Sequence, residues 1–226
     1  MKVKHLVGAF LCVLGCYACS SPKTEVQSPD GHIKMTLTVD ENGKPFYNVS
    51  VDDSLLIENS AMGFTAANGI ILAEGFQVKN TTFSSEDETW TQPWGENKKN
   101  RNHYNEMAVS LTNEDQVQLT LRFRVFDDGI GFRYEYTVPT VDSLLITDEL
   151  TTFRFHRDGT SWSIPASAET YELLYQQQPI SEVETANTPF TFKTADGVYG
   201  SIHEAALYDF PEMTLKQIGH YTLKAE

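Results

Sequence analysis

Apolar and polar residues alternate with a period of two along most of the chain. Between residues 33 and 39, Ile, Met, Leu and Val occupy every second position, with Lys or Thr between them. A turn-forming stretch at residues 41–44 (Glu-Asn-Gly-Lys) then leads into a second run at 46–51. A period of two is typical of a strand that buries one face. We therefore predict a hairpin over residues 33–51.

The clearest alternation lies in the middle of the chain, at residues 117–125 and 132–138, separated by Asp127-Asp128-Gly129. It predicts two further antiparallel strands, each with one buried face. The segment 60–74 contains Ala and Gly and is expected to hold one short helix. Additional strands are predicted at residues 107–111, 151–155, 172–176, 190–193 and 198–203.

Many short strands without a βαβ rhythm favour an all-β fold, an antiparallel β-sandwich. The alternation stops at residues 86–105, which are polar and contain Trp90 and Trp94. We expect a functional loop there, because structureless segments of about twenty residues are uncommon and disordered ones are poor in aromatic residues. The two tryptophans are candidates for stacking on sugar rings or for anchoring the loop.

The N-terminus has the pattern of an export signal. Two lysines precede a short apolar run at residues 6–14, and the three cysteines, Cys12, Cys16 and Cys19, lie in or beside it. We expect a lipoprotein-type signal over residues 1–18, with lipidation at Cys16 or Cys19; the alternative is simple cleavage after Ala18. The expected location is the bacterial envelope, in the periplasm or as an outer-membrane lipoprotein. Residues 19–27 are read as a tether and 28–226 as one domain.

Charge and cysteine content restrict the partners. The 17 basic and 31 acidic residues give a formal net charge of -14, which disfavours nucleic acid and anionic headgroups. A neutral sugar or a divalent cation is compatible with this charge. All cysteines lie at or before Cys19, so the domain must be held by its apolar core and not by disulfides.

His203 and Glu204 follow an apolar strand-like run, where a carboxylate needs a partner, a metal or water to offset its desolvation. Taken alone, Glu204 is either a metal ligand or a rim carboxylate paired with a base. His203 either orients Glu204 or is an ordinary strand histidine, and on an extended strand the two side chains would point apart. The sequence contains no G-x-S-x-G elbow and no phosphate-binding loop.

A set of motifs, in order along most of the chain, resembles the N-terminal domain of glycoside hydrolase family 97. The resemblance implies a β-supersandwich, related to galactose-mutarotase-like sandwiches, packed on a catalytic (β/α)8 barrel that hydrolyses α-glucosides or α-galactosides. It also implies an active-site calcium ion to which the sandwich gives one carboxylate, at the position of Glu204. The motifs are Trp94-Gly-Glu96, Tyr104-Asn-Glu106, residues 123–134, Asp148-Glu149, Thr152-Phe153, and residues 202–207 with Met213.

Within this resemblance the candidate residues around a substrate pocket are Trp90, Trp94, Glu96, Asn105, Glu106 and His203. The expected partners are an α-linked oligosaccharide or glycoside, the barrel, and a membrane only through the lipid anchor.

The family's general acid and its base or nucleophile belong to the barrel, for which 226 residues leave no room. We therefore expect a truncated or split reading frame, a strand cut short at residues 221–226, and no glycosidase turnover from this chain alone. One alternative is a stand-alone carbohydrate-binding envelope lipoprotein that uses Trp90 and Trp94. Another is a mutarotase-like enzyme that uses His203 as base and Glu204 as acid.

Overall fold

The structure is a computed structural model that describes residues 24–139, 141–208 and 210–226. Within them the regular structure consists of strands and two short 3-10 helices, Ala67–Gly69 and Ile180–Glu182. No helix in this part of the chain has the length and apolar character needed to cross a bilayer. The strands, in chain order, are β1 Glu25–Gln27, β2 Ile33–Val39, β3 Pro45–Val51, β4 Ser54–Ala61, β5 Phe64–Ala66, β6 Ile71–Leu72, β7 Gln77–Thr91, β8 Lys99–Thr112, β9 Gln118–Phe126, β10 Gly129–Thr137, β11 Ile146–Glu149, β12 Thr152–Arg154, β13 Gly159–Ser163, β14 Gln176–Pro179, β15 Thr185–Asn187, β16 Phe190–Thr194, β17 Tyr199–Ile202, β18 Thr214–Gln217 and β19 Thr222–Ala225.

Two four-stranded antiparallel sheets form the first sandwich, in the orders β1-β2-β3-β4 and β10-β9-β8-β7. The predicted hairpins are confirmed as β2–β3 and β9–β10. The alternating apolar residues of β9 are buried, and those of β10 are half-buried. At the first hairpin turn, Gly43 has φ of 74°, and a Cβ there would lie 2.3 Å from the Phe76 amide nitrogen. A glycine is therefore required at this corner.

The core lies between these two sheets. Met35 and Tyr47 from one sheet and Leu121 and Phe123 from the other are at most 1% exposed, and the Tyr47 and Phe132 rings lie 5.5 Å apart. The Tyr47 hydroxyl donates a hydrogen bond of 2.9 Å to the Thr152 carbonyl oxygen. This bond satisfies a buried polar atom and ties the first sandwich to β12.

The remaining strands extend the sandwich beyond its first two sheets. The sheet β12-β19-β18-β15 continues from β4, where the backbone N–H of Arg154 donates to Ser60 Oγ at 2.8 Å. The sheet β14-β13-β16-β17 lies beside it, with the Phe155 and Phe192 rings 4.8 Å apart, and β11-β5-β6 forms a three-stranded sheet. The all-β antiparallel fold is confirmed.

Four local expectations differ from the structure, and three of them concern short segments. The predicted helix in residues 60–74 is replaced by β5, a single 3-10 turn and β6, with Phe64 and Leu72 buried opposite each other. The predicted strand at 172–176 is wrong over most of its length, because β14 begins only at Gln176 and Leu173 and Leu174 are exposed. Residues 25–27, assigned to the tether, form β1 and bury Val26.

The expected loop at residues 86–105 is instead part of a long hairpin. β7 pairs with β8 as far as Thr91 opposite Lys99, whereas β9 pairs with β8 only as far as Tyr104. Residues 87–103 therefore project beyond the sheet as a two-stranded arm, here called the hairpin arm. Both of its faces meet water, so the sequence carries no alternation that could reveal it.

Candidate functional site

Glu204 lies at the edge of a cleft beside the sheet β14-β13-β16-β17. β17 ends at the buried Ile202, and the chain then leaves the sheet through an exposed His203 and a half-buried Glu204. The cleft has a volume of about 410 Å³ and is lined by Thr188, Pro189, His203, Glu204, Leu207 and Glu212. It is called the Glu204 cleft below.

The Glu204 carboxylate is held by one of its two oxygens. The backbone N–H of Met213 donates to Glu204 Oε1 at 2.8 Å, which fixes the direction of the side chain. His203 Nδ1 lies 3.1 Å from the Glu204 carbonyl oxygen, a hydrogen bond for the tautomer protonated at Nδ1. Both residues line the same cleft. The strand ends at Ile202, so the expectation that the two side chains point apart on an extended strand does not apply to them.

Glu149, at the end of β11, is the second carboxylate of this region. Burial raises its pKa, and the negative charge of Glu204 raises it further. Thr151 Oγ1 donates to Glu149 Oε1 at 2.6 Å, and this hydrogen bond offsets part of the rise in the pKa of Glu149. Thr151 Oγ1 also lies 2.7 Å from the Tyr134 hydroxyl. A positive charge placed near the pair would relieve this repulsion.

Glu212 also lines the cleft and accepts a hydrogen bond from the Tyr171 hydroxyl. This bond raises the pKa of Tyr171, with a smaller contribution from the charges of Glu212 and Glu204. The contact joins the exposed segment 171–175 to the wall of the cleft.

The donor set suits calcium only in part. Calcium takes six to eight oxygen ligands, and carboxylates are the side chains that provide them. Glu204 offers one such group at an open edge, but the described residues contain no cluster of three His, Cys, Asp or Glu side chains able to enclose a metal. Glu204 therefore fits as one ligand of a site that needs further oxygens from elsewhere.

Trp90, Trp94 and Glu96 lie on the hairpin arm and not at the Glu204 cleft. Trp94 is 81% exposed and Trp90 is 48% exposed. The tip of the arm encloses a second cleft of about 610 Å³ lined by Trp94, Glu96 and their neighbours from Thr91 to Lys98. The structure thus places these three sequence-predicted pocket residues apart from His203, which lines the Glu204 cleft.

Asn105 and Glu106 lie at the base of the arm. Asn105 Nδ2 donates to the Gln27 carbonyl oxygen at 2.9 Å, joining β8 to β1. Arg122 and Arg124 donate to the two oxygens of Glu106 at 2.6 and 2.8 Å. Burial alone would raise the pKa of Glu106, but hydrogen bonds and charge from Arg124 and Arg122 outweigh it and lower the pKa. Both residues form contacts within the sandwich that join neighbouring strands. A contact of Asn105 or Glu106 with substrate stays a prediction.

Sequence reasoning did not single out Glu149 or Glu212 as members of the cleft region. Glu149 belongs to the motif Asp148-Glu149, and that motif was the available sequence signal for it. No sequence signal marked Glu212, because its position at the cleft depends on the fold of residues 203–213. Cys16 and Cys19 lie outside the described residues.

Comparison with known proteins matches the chain and its fold to glycoside hydrolase domains. Residues 26–225 match the family model described as Glycosyl-hydrolase 97 N-terminal. The chain is 24% identical to a retaining alpha-galactosidase of Bacteroides thetaiotaomicron over 94% of its own length and 33% of that protein.

Solved structures give the same match. A glycoside hydrolase family 97 enzyme from Pseudoalteromonas sp. strain K8, solved in complexes with panose and with acarbose, superposes with a TM-score of 0.83 and 37% identity over 89% of this chain. A beta-arabinopyranosidase superposes with a TM-score of 0.80 at 22% identity, which shows the fold alone. The chain spans about a third of the length of these relatives.

Proposed function

The chain belongs to the Glycosyl-hydrolase 97 N-terminal family, and we propose on that premise that it is the non-catalytic sandwich domain of an α-glycosidase. In this proposal the reactive carboxylates lie in a separate catalytic barrel, and the domain completes the mouth of the substrate pocket. The substrate is an α-linked oligosaccharide or glycoside, a class consistent with the alpha-galactosidase name of one relative and the panose complex of another.

Glu204 carries the proposal. Its carboxylate is oriented by the Met213 N–H at the open edge of a cleft, and its charge adds to the raised pKa of Glu149. Such a group is suited to donate one oxygen to a calcium ion whose other ligands come from the catalytic domain. The bound ion would supply a fixed positive charge at the substrate pocket.

Exposed apolar side chains beside the cleft support a docking role for this side of the molecule. Leu174 is 89% and Tyr208 is 84% exposed, and Leu207 lines the cleft itself. We name Leu173, Leu174, Tyr175, Leu207 and Tyr208 the apolar rim. A surface of this kind is expected where another domain packs.

Calcium titration followed by NMR tests the metal role on this chain alone. We expect Ca²⁺ to shift the Met213 amide resonance with weak affinity, Kd on the order of 10⁻³ M or weaker because the ligand set is incomplete. Glu204→Gln should abolish the shift, whereas Glu182→Gln, an exposed control away from the cleft, should retain it. A Met213 shift that survives Glu204→Gln would contradict the calcium role.

The non-catalytic role has its own measurement. The purified chain should release no chromophore from aryl α-glucosides or α-galactosides above the rate of buffer. Turnover that is abolished by a point change within this chain would contradict the proposal, whatever the calcium result.

The export signal leads to a further part of the proposal, attachment to the bacterial envelope through lipidated Cys16 or Cys19. Labelling of cells with an alkyne fatty acid should mark the chain, and Cys16→Ser combined with Cys19→Ser should remove the label. Retention of the label in the double variant would contradict attachment at these residues.

A further inference from the structure

The outer face of the sheet β14-β13-β16-β17 carries two aromatic rings among polar side chains. Directly paired residues share a face in an antiparallel sheet. Trp162 pairs with Gln177 and Thr191, and Thr191 pairs with Ser201.

A second row of residues lies on the same face. Lys193, two residues after Thr191 on β16, pairs with Thr160 on β13 and with Tyr199 on β17. All these side chains therefore lie on one face, while Phe190, Phe192 and Ile202 fill the core on the other.

The two rings are arranged as neighbours and not as isolated surface residues. The Trp162 and Tyr199 ring centroids lie 6.4 Å apart with an interplanar angle of 14°. Lys193 Nζ lies 4.9 Å from the Tyr199 ring centroid, a cation–π distance that restrains the tyrosine. Tyr199 nevertheless remains 64% exposed.

The backbone beneath the rings is closely packed on the core. A Cβ at Gly200 would lie 2.4 Å from Cζ of the Phe192 ring, so the glycine lets β17 approach the core directly. The platform is thus built on strands and not on a loop, which holds both rings in place before any ligand binds.

The surrounding groups fit a neutral, hydroxyl-rich ligand. Gln177, Thr191 and Ser201 are exposed and provide uncharged hydrogen-bond donors and acceptors beside the rings. Aromatic faces offer apolar contact area to the C–H surface of a pyranose ring. The net charge of -14 disfavours a polyanion on this molecule.

We propose that this face, the Trp162–Tyr199 platform, is a surface binding site for a neutral glycan chain. Tyr199 and the Glu204 cleft lie at opposite ends of β17, which is about 10 Å long from Tyr199 to Ile202 at 3.3 Å per residue. The platform is therefore a second site that goes beyond the proposed function and does not require calcium. It would hold a polymeric substrate on the domain near the cleft.

Native gel electrophoresis in gels that contain soluble starch or galactomannan tests the platform on the full chain. We expect at least one of these glycans to retard the chain, with an apparent Kd that rises at least tenfold in Tyr199→Ala and in Trp162→Ala. Phe83→Ala removes a 51% exposed aromatic ring from β7, is the matched aromatic control and should migrate as the unchanged chain does. EDTA should have no effect, so the result is independent of the Glu204 metal role.

Migration unaffected by both glycans would overturn the proposal. So would retardation that persists in Tyr199→Ala and Trp162→Ala, or that is lost in Phe83→Ala. Tyr199 is mostly exposed, so its variant should keep the thermal transition of the unchanged chain, and a circular dichroism melt checks this before the gels are compared.

Discussion

Two arginines hold Glu106 at the base of the hairpin arm, and this residue shows how position decides the role of a carboxylate. Glu106 is 8% exposed and receives one hydrogen bond from each guanidinium. Arg122 also donates to Glu135, so the group is a network and not an isolated surface pair. Glu204, in contrast, keeps part of its carboxylate at an open cleft.

Replacement of Glu106 should therefore destabilise the fold in a pH-dependent way. At neutral pH we expect Glu106→Gln to lower the free energy of unfolding by about 1–3 kcal/mol, because the arginines lose charged acceptors. The native pKa of Glu106 lies below its ordinary value of about 4.3, so the stabilisation is present above that pH and is lost as the pH falls through the lower native value.

Urea denaturation of both proteins between about pH 7 and pH 3 measures this difference. The difference in the free energy of unfolding should decrease as the pH falls toward 3. The control Glu114→Gln, at an exposed position, should have nearly the same free energy of unfolding as the unchanged chain at every pH. An equal difference at both ends of the range would contradict the assignment.

The hairpin arm is the element that departs most from the sandwich. No third strand pairs with the arm beyond Tyr104, and the side chains of Trp90 and Trp94 on the arm are exposed. Two-stranded hairpins are only marginally stable in water. The arm should therefore open locally without unfolding the sheet from which it extends.

Hydrogen exchange followed by mass spectrometry tests this independence. Amides in residues 88–102 should exchange faster than those in residues 106–111, although both segments belong to the same pair of strands. Replacement of residues 87–103 with Asn-Gly should change the free energy of unfolding by less than about 1 kcal/mol, since few core contacts are removed. Equal protection along the whole hairpin would contradict independent opening of the arm.

At the scale of the whole molecule, one side combines acidic groups with exposed apolar ones. The Glu204 cleft, with Glu149 and Glu212, adjoins the apolar rim. The net charge of -14 keeps copies apart, whereas the rim favours contact between them. The balance between the two should depend on ionic strength.

We accordingly expect concentration-dependent self-association that increases with added salt. Sedimentation velocity should show it for the unchanged chain and a reduced extent for Leu174→Ser combined with Tyr208→Ser. Trp90→Ser combined with Trp94→Ser removes a similar apolar area from the arm and should leave association unchanged. A chain that stays monomeric at all concentrations and salt levels would refute the exposed-rim explanation.

The sequence determined the fold class and the family. Strands with one face in the core and one in water, such as β2, β3, β9 and β10, leave an alternation that can be read directly, because burial selects apolar residues at every second position. The match over residues 26–225 confirmed the resemblance first suggested by the motifs.

Tertiary structure alone decided which polar residues come together. The hairpin arm has water on both sides and so leaves no periodic signal. Glu149 is far along the chain from the segment that holds Glu204 and Glu212. The Trp162–Tyr199 platform depends on the pairing of β13 with the β16–β17 hairpin, a contact between segments that are distant in sequence. Local sequence records the burial of each residue, but proximity between distant segments arises only when the sheets assemble.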